Sequence, residues 1–437
     1  MGPQIPDCDS ETNLAEFWLD KCPEPDTPLL EGSELAAFNR SVTDLCASVV
    51  DILTLPESFA AQELKPIIES ISHPTPKFRF FADGNRVSEE DIQALKDQLA
   101  LDDLTDDNPV TYGLVVRRTS LRRFPADTPV FDDDTVQILD RMQESAFFPG
   151  QGLAVLHRSA DQHWLFVRSY NYCGWVHRRS VAACTRQDIG AYRHPDQALV
   201  VTGAKAFTNY NPENPQTSEV QLDMGAHLPE ADENTLPPTL HGQHRCASRV
   251  ALLPTISWKG TLALEPALIA LHQDVRRGPL PLTRRNVLTQ AFKFLGERYG
   301  WGHSGNSRDC TGFVSEIFRS CGAIMPRNSG QQGDAEYGIN VRFDKDTSNE
   351  EKLAAIRQAL PGDLLYLPGH VLILLGEHRG EPYVIHDLST AFIEHRDGRL
   401  SEAQINGVVV TPLLSLHATE EESYLDRLTS IKRIAAP

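Results

Sequence analysis

The stretch Arg308-Asp309-Cys310-Thr311-Gly312-Phe313, preceded by Tyr299-Gly300-Trp301-Gly302, decides how the rest of the chain is read. Apolar Val314, Ile317, Phe318 and Cys321 follow at steps of three and four, so the spacing predicts a helix with Cys310 at its first turn. A helix start offers unpaired backbone N–H groups and the positive end of the dipole, and both favour a thiolate. Asp309 opposes a second anion if it is ionised, and its side-chain oxygen is equally suited to cap the helix. By itself a cysteine in such a place is better explained as a small buried apolar residue.

The order of residues downstream adds the chemistry. Gly362-Asp363-Leu364-Leu365-Tyr366 leads into Gly369-His370-Val371-Leu372-Ile373-Leu374-Leu375-Gly376, a short apolar strand with an imidazole at its mouth. A second strand, Tyr383-Val384-Ile385, ends in His386. A thiol at a helix start and two imidazoles on neighbouring strands make a nucleophile, a base and an orienter. From Thr283 to Leu413 this arrangement resembles the NlpC-type cell-wall cysteine peptidases, papain-like enzymes that cut peptidoglycan stem peptides. The resemblance rests on the Asp-Cys-Thr-Gly helix start, the Gly-His-Val strand and the Ile-His strand together.

The bulk properties bound the alternatives. A chain of 437 residues suggests about three or four domains, and 41% hydrophobic with 23% charged residues is a globular composition. No apolar run approaches the roughly 20 residues of a membrane helix. Sixty acidic against 41 basic residues give a net charge of −19, and without a local Lys/Arg excess nucleic acid is not an expected partner. Eight cysteines lack metal-type spacing and do not read as a disulfide framework, although a single pair such as Cys173 with Cys184 is open. Met1 to Cys8 has no charged n-region and no apolar h-region. The expectation is either a cytoplasmic protein or a form whose export signal has been removed, with the cell envelope or periplasm as destination.

Along the chain, Leu35, Phe38, Val42, Leu45, Val49 and Ile52 make one helical stripe with Ser33 as its cap, and Ser88-Glu89-Glu90-Asp91 reads as a capping box. Residues 1–110 are therefore expected to be a helical N-terminal domain closed by the acidic stretch from Asp102 to Asn108. From Thr111 the texture changes to short strands, Leu153 to His157, Trp164 to Arg168 and Gly174 to His177, which suggest a small barrel. The Trp-bearing strand followed by Gly-Trp-Val looks like a bacterial SH3-like domain, assigned to 111–190. A second SH3-like barrel is assigned to 191–282, with strands near Ala198 to Thr202, Val250 to Leu253 and Ser257 to Ala263, and a long excursion from Asn209 to His244. Residues 283–437 form the α+β papain-like domain, with Thr283 as a helix cap and a short polar helix from Ala418.

The resemblance implies roles for particular residues. Cys310 attacks the scissile carbonyl, His370 carries the proton, and His386 orients His370, unless a slip of one residue puts Asp387 there instead. Tyr299 is implied to point its hydroxyl at the oxyanion, beside the backbone N–H of Cys310. No cofactor or metal is required; zinc ligation by Cys310, His370 and His386 is a weaker rival, because Thr311-Gly312 supplies no local ligand.

Members with SH3-like domains ahead of the peptidase resemble gamma-D-glutamyl-L-diamino acid endopeptidases, in which the first such domain walls off the cleft and selects a free N-terminal L-alanine. Asp309, Thr311, Ser329 and Trp301 match that subgroup's substrate-binding positions, with Thr311 standing where Ser is usual. Glu144 and Tyr172 are the barrel residues assigned to the ammonium group, Tyr170 being the rival of Tyr172. The expected partners are peptidoglycan-derived peptides. Two other readings stay open, a wall-binding protein with an inactive peptidase domain and an acyltransferase on the same fold.

Overall fold

The computed structural model describes residues 10–134, 139–193, 198–395 and 397–435. The start from Met1 to Cys8, and with it the export reading, lies outside them. The chain divides into two compact units, one of Met1–Val49, Pro279–Tyr299 and Ser307–Pro437, the other of Val50–Gly278 and Gly300–Asn306. This division cuts across the expected helical domain 1–110, because helices on either side of residue 50 bury their apolar faces in different cores. Among the described residues no helix is long and apolar enough to cross a membrane.

The first unit is built on a seven-stranded antiparallel sheet in the order Ile339–Arg342, Ser430–Arg433, Leu364–Leu367, His370–His378, Glu381–Glu394, Leu400–Pro412, with Leu416–His417 added beside Glu381–Glu394. The helix Cys310–Ser320 packs on the two central strands His370–His378 and Glu381–Glu394. Phe313 meets Phe294 edge to face at 5.6 Å, an arrangement that suits the ring quadrupoles. The helix stops at Gly322, φ +85°, where Ala323 N donates to Phe318 O and Gly322 N to Arg319 O. That paired closure needs a left-handed residue, which glycine adopts without cost.

Thr283 caps the helix Arg284–Phe292 as expected, its Oγ1 accepting from Asn286 N. The N-terminal segment belongs to this unit. Trp18 is buried against Tyr383, and Asn39 clamps the turn after the helix Cys310–Ser320 through Gly322 O and Ile324 N.

Two local expectations here are corrected. Ser33 is the first residue of the helix Ser33–Leu45 and not its cap; Gly32 holds the entry, and the helix ends before Val49 and Ile52. The tail from Ala418 is not a helix but a turn leading to the strand Ser430–Arg433. Tyr424, Leu425 and Leu428 are buried beside Leu365, Leu372 and Val384, while the Thr429 amide bonds Tyr366 O. Once the sheet claims that amide, a helix cannot continue through it.

In the second unit, seven antiparallel strands follow the order Val181–Cys184, Thr111–Val115, Gly152–Arg158, Trp164–Arg168, Cys173–His177, Thr119–Arg122, Gln143–Phe147. Their core holds Leu114, Phe124, Phe166 and Trp175, and the Trp175 indole N–H donates to Ser72 Oγ, tying the helical layer of residues 61–97 to the sheet. Ser88 caps its helix through the expected box with Asp91.

Residues 198–277 form smaller antiparallel sheets around Leu199, Val201, Leu222, Leu228, Leu253 and Ile269. The stretch Ser257 to Ala263 is not one strand. Ser257 to Thr261 are the loop of the hairpin Ser248–Ile256 with Leu262–Ala270, turned at Gly260, φ +80°, and Leu262 and Ala263 open its second strand. The interval from Asn209 to His244 carries four short strands, Gln221–Asp223, His227–Pro229, Thr239–Leu240 and Gln243–His244.

Candidate active site

Cys310 is the first residue of its helix, and Asp309 is the cap, its Oδ1 accepting from Gly312 N at 2.8 Å and from Thr311 Oγ1 at 3.0 Å. Arg327 closes on the same carboxylate, Nη2 to Oδ2 at 2.6 Å, and reaches Thr311 Oγ1 at 2.5 Å. The charge that would oppose a thiolate is thus offset within the protein. Asp309 and Thr311 are both buried, so they shape the floor of the site through Arg327. Arg327 is a residue that sequence reasoning missed; its place two residues before Ser329 was the available signal.

The Cys310 thiol is pushed far up by burial, then by the carboxylates of Asp309 and Asp387; the N–H of Val371 bonded to it and the Arg327 guanidinium pull the other way. At rest the sulfur is a neutral thiol, seated against the amide that follows His370.

Sheet register explains the rest. Ile373 pairs with Ile385 and His386 with Val409, so His370, His386 and Thr411 lie on a diagonal of one face, each two residues from direct opposition. His370 Nε2 is 2.9 Å from His386 Nδ1, and His386 Nε2 is 3.0 Å from Thr411 Oγ1. With Thr411 accepting, His386 Nδ1 accepts from His370 Nε2–H and leaves His370 Nδ1 as the free base. Thr411 was not anticipated, because its partner is supplied only by the strand pairing. Burial pushes His370 down to about 4, and burial followed by repulsion from His370 holds His386 well below the ordinary imidazole range.

Asp387 points to the opposite face, as strand alternation requires, and the orienting contact falls to His386. Asp387 is 1% exposed, and neither of its oxygens has a hydrogen-bond partner among the described residues. Burial raises its pKa well above the carboxylate range, with Asp309 and Glu297 adding and Arg308 opposing. Nearby, Arg308 is wholly buried, bonded to Glu316 at 2.6 Å and Glu297 at 2.7 Å, with its guanidinium 4.5 Å from the Phe294 ring centre.

Tyr299 is bridged to Arg308 and held through its N–H to Asn406 O. Burial, then Cys310, Asp309 and Asp387, raise its phenol well above the ordinary value, so it remains a neutral donor. Ser329 opens the short helix Ser329–Asp334 and is buried. Among the described residues no three of His, Cys, Asp and Glu converge as a metal site, and Cys173 and Cys184 are not joined in a disulfide.

The second unit gathers the other three expected residues. Tyr172 OH donates to Glu144 Oε2 at 2.5 Å, and Arg123 pairs with the other oxygen. Trp301, 37% exposed, donates from its indole to Gln143 O, the residue before Glu144, and Arg141 lies 5.3 Å over its ring. Tyr172, not Tyr170, holds the Glu144 carboxylate; Tyr170 contributes its carbonyl to Val50 N.

Residues 296–411 match the NlpC/P60 family, and residues 129–177 match an SH3 domain of SH3b1 type. The chain thus carries one stretch similar to the NlpC/P60 family and another similar to an SH3b1-type SH3 domain. Two relatives named "Probable endopeptidase p60" are similar over 96 residues, 33% identical in Listeria welshimeri and 31% in Listeria seeligeri. Each alignment takes in 21% of this chain and 16% of the relative, so the chain spans only a small part of their length. A solved structure described as a novel NlpC/P60 endopeptidase from Photobacterium damselae subsp. piscicida is similar with a TM-score of 0.76 at 16% identity, covering 96% of this chain and 97% of that one. At that identity the likeness is one of fold.

Proposed function

We propose that the protein is a cysteine endopeptidase that hydrolyses the gamma-D-glutamyl-diamino acid bond of peptidoglycan stem peptides, and that it prefers those with a free N-terminal L-alanine. The observation that carries the reading is the chain from His370 through His386 to Thr411 beside the capped Cys310, within a segment that matches the NlpC/P60 family. Cys310 loses its proton to His370 Nδ1 as it attacks the carbonyl carbon, giving a tetrahedral oxyanion that the Cys310 N–H and the Tyr299 hydroxyl stabilise. The imidazolium then protonates the leaving amine, and water, deprotonated by the same imidazole, releases the acid and restores the thiol.

Glu144, oriented by Tyr172, is the carboxylate we assign to the substrate's ammonium group, with Trp301 beside it and Ser329 and the Asp309–Thr311 pair as further binding residues. In this reading the chain has four parts, the helical N-terminal region, two SH3-like barrels and the peptidase domain, and it works in the cell envelope or periplasm.

The test is mass spectrometry of products from L-Ala-gamma-D-Glu-diamino acid, with its amine free and with it blocked. The free peptide should be cut at the gamma bond and the blocked one at least about a hundredfold more slowly, since an uncompensated ionic contact is worth a few kcal/mol. Equal cleavage of both, or of intact sacculi, removes the amine preference while leaving the peptidase reading in place; no cleavage of either removes both.

The hydrogen-bonded chain makes a second prediction. His386→Ala should lower kcat on the order of a hundredfold with little change in KM, whereas Thr411→Val should cost only about fivefold, the worth of one neutral hydrogen bond. The base must be neutral to work, and burial lowers its pKa to about 4. Activity should therefore fall on the acid side with an apparent value below the ordinary histidine range, one that belongs to the coupled thiol–imidazole pair. An acid limb centred at or above 6.5 would contradict this assignment.

A further inference from the structure

We infer that the seven-stranded sheet of the second unit carries an anion-binding site that takes a carboxylate- or phosphate-bearing small ligand, independent of the peptidase reading. A cleft of about 610 Å³ is lined there by Arg117, Arg118 and Arg179 together with Trp164, His177 and Asp127. That volume lies in the range of sites for small organic ligands.

The arginines converge because of the sheet register. Val115 pairs with Val181, and the ladder extends through the Val116 amide to Ser180 O at 2.9 Å. Arg117 and Arg179 therefore leave adjacent stretches of backbone, a like-charge juxtaposition that costs stability unless an anion offsets it. Both are exposed, and neither has a hydrogen bond or ion pair with a described residue. The chain as a whole carries a net charge of −19, so two uncompensated guanidinium groups in one cleft stand against the general composition.

The remaining walls are fixed. Trp164 and His177 are cross-strand partners whose rings stack at 4.2 Å, and His177 Nε2 lies 3.1 Å from Asp127 Oδ2. Arg118 is anchored at 2.9 Å to His303 O and at 3.6 Å to Asp223, so it borders the cleft while its own fork is engaged. Arg117 and Arg179 are left to act as paired forks, the geometry that matches the planar oxygens of a carboxylate or the face of a phosphate. Asp127 limits the site to ligands whose anionic end lies toward the arginine side.

The test is calorimetric titration of the full chain at low ionic strength with inorganic phosphate and, separately, with N-acetyl-D-glutamate. At least one should bind, and Arg117→Ala with Arg179→Ala should weaken it by about tenfold or more, whereas Arg178→Ala, an exposed neighbour that does not line the cleft, should leave it unchanged. Binding of phosphate alone would mark a phosphate ligand, and binding of the glutamate derivative a carboxylate ligand. The inference is overturned if neither probe binds, if the double variant binds as well as the parent, or if Arg178→Ala weakens binding as much as the double variant does.

Discussion

Cys310→Ala is expected to lower hydrolysis of the free-amine tripeptide by at least about 10⁴-fold while the folded signal stays unchanged. The substitution removes one sulfur from a helix whose start is held by Asp309, Arg327 and Thr311, none of which depends on the thiol. What is lost is the thiol to which the acyl-forming step is assigned in the proposed mechanism. Cys310→Ser should not rescue the rate. Burial and the carboxylates of Asp309 and Asp387 already push the thiol far up, and a hydroxyl starts from a much higher pKa, so the same imidazole would have to take a far less acidic proton. A residual rate above about 1% of the parent in the alanine variant would mean that the bond is broken by something other than this sulfur, and the mechanism would fall.

The second large effect is on stability. Arg308→Ala should cost about 3–5 kcal/mol, seen as a lower urea midpoint of the unit that holds the helix Cys310–Ser320. Arg308 is wholly buried and bonded to Glu316 on that helix and to Glu297 on the segment before Tyr299. Its removal takes from the buried Glu316 carboxylate the guanidinium bonded to it at 2.6 Å and a cation from the face of Phe294. Replacing both members of the pair, Arg308→Met with Glu316→Leu, should recover a large part of the loss, because an apolar pair has no desolvation penalty to offset. If Arg308→Ala shifts the midpoint by less than about 1 kcal/mol, the buried network is not what holds the helix start.

The same residues mark what could be read from the chain and what could not. The cap at Asp309, the helix that starts with Cys310, the cap at Thr283 and the box at Ser88 are local features, and their hydrogen bonds close within three residues. The strands carrying His370 and His386 were likewise legible from short apolar runs. The tail from Ala418 was misjudged because Tyr424, Leu425 and Leu428 suit a helix as well as a buried turn, and only the distant Tyr366 carbonyl decides between them. The helical region before residue 110 was read as one body for the same reason: an apolar stripe predicts that a helix is buried, not against what.

The amino-acid order alone therefore determined the helix start that presents the Cys310 thiol and the apolar strands that carry His370 and His386, since each rests on short-range backbone geometry. Only the tertiary structure decided that His386 and not Asp387 bonds His370, that Arg327 offsets the charge of Asp309, and that Thr411 ends the chain. Those contacts depend on strand register and on side chains between 16 and 25 residues apart in the sequence. A shift of one residue would exchange one face of the strand for the other, and no local pattern records that choice.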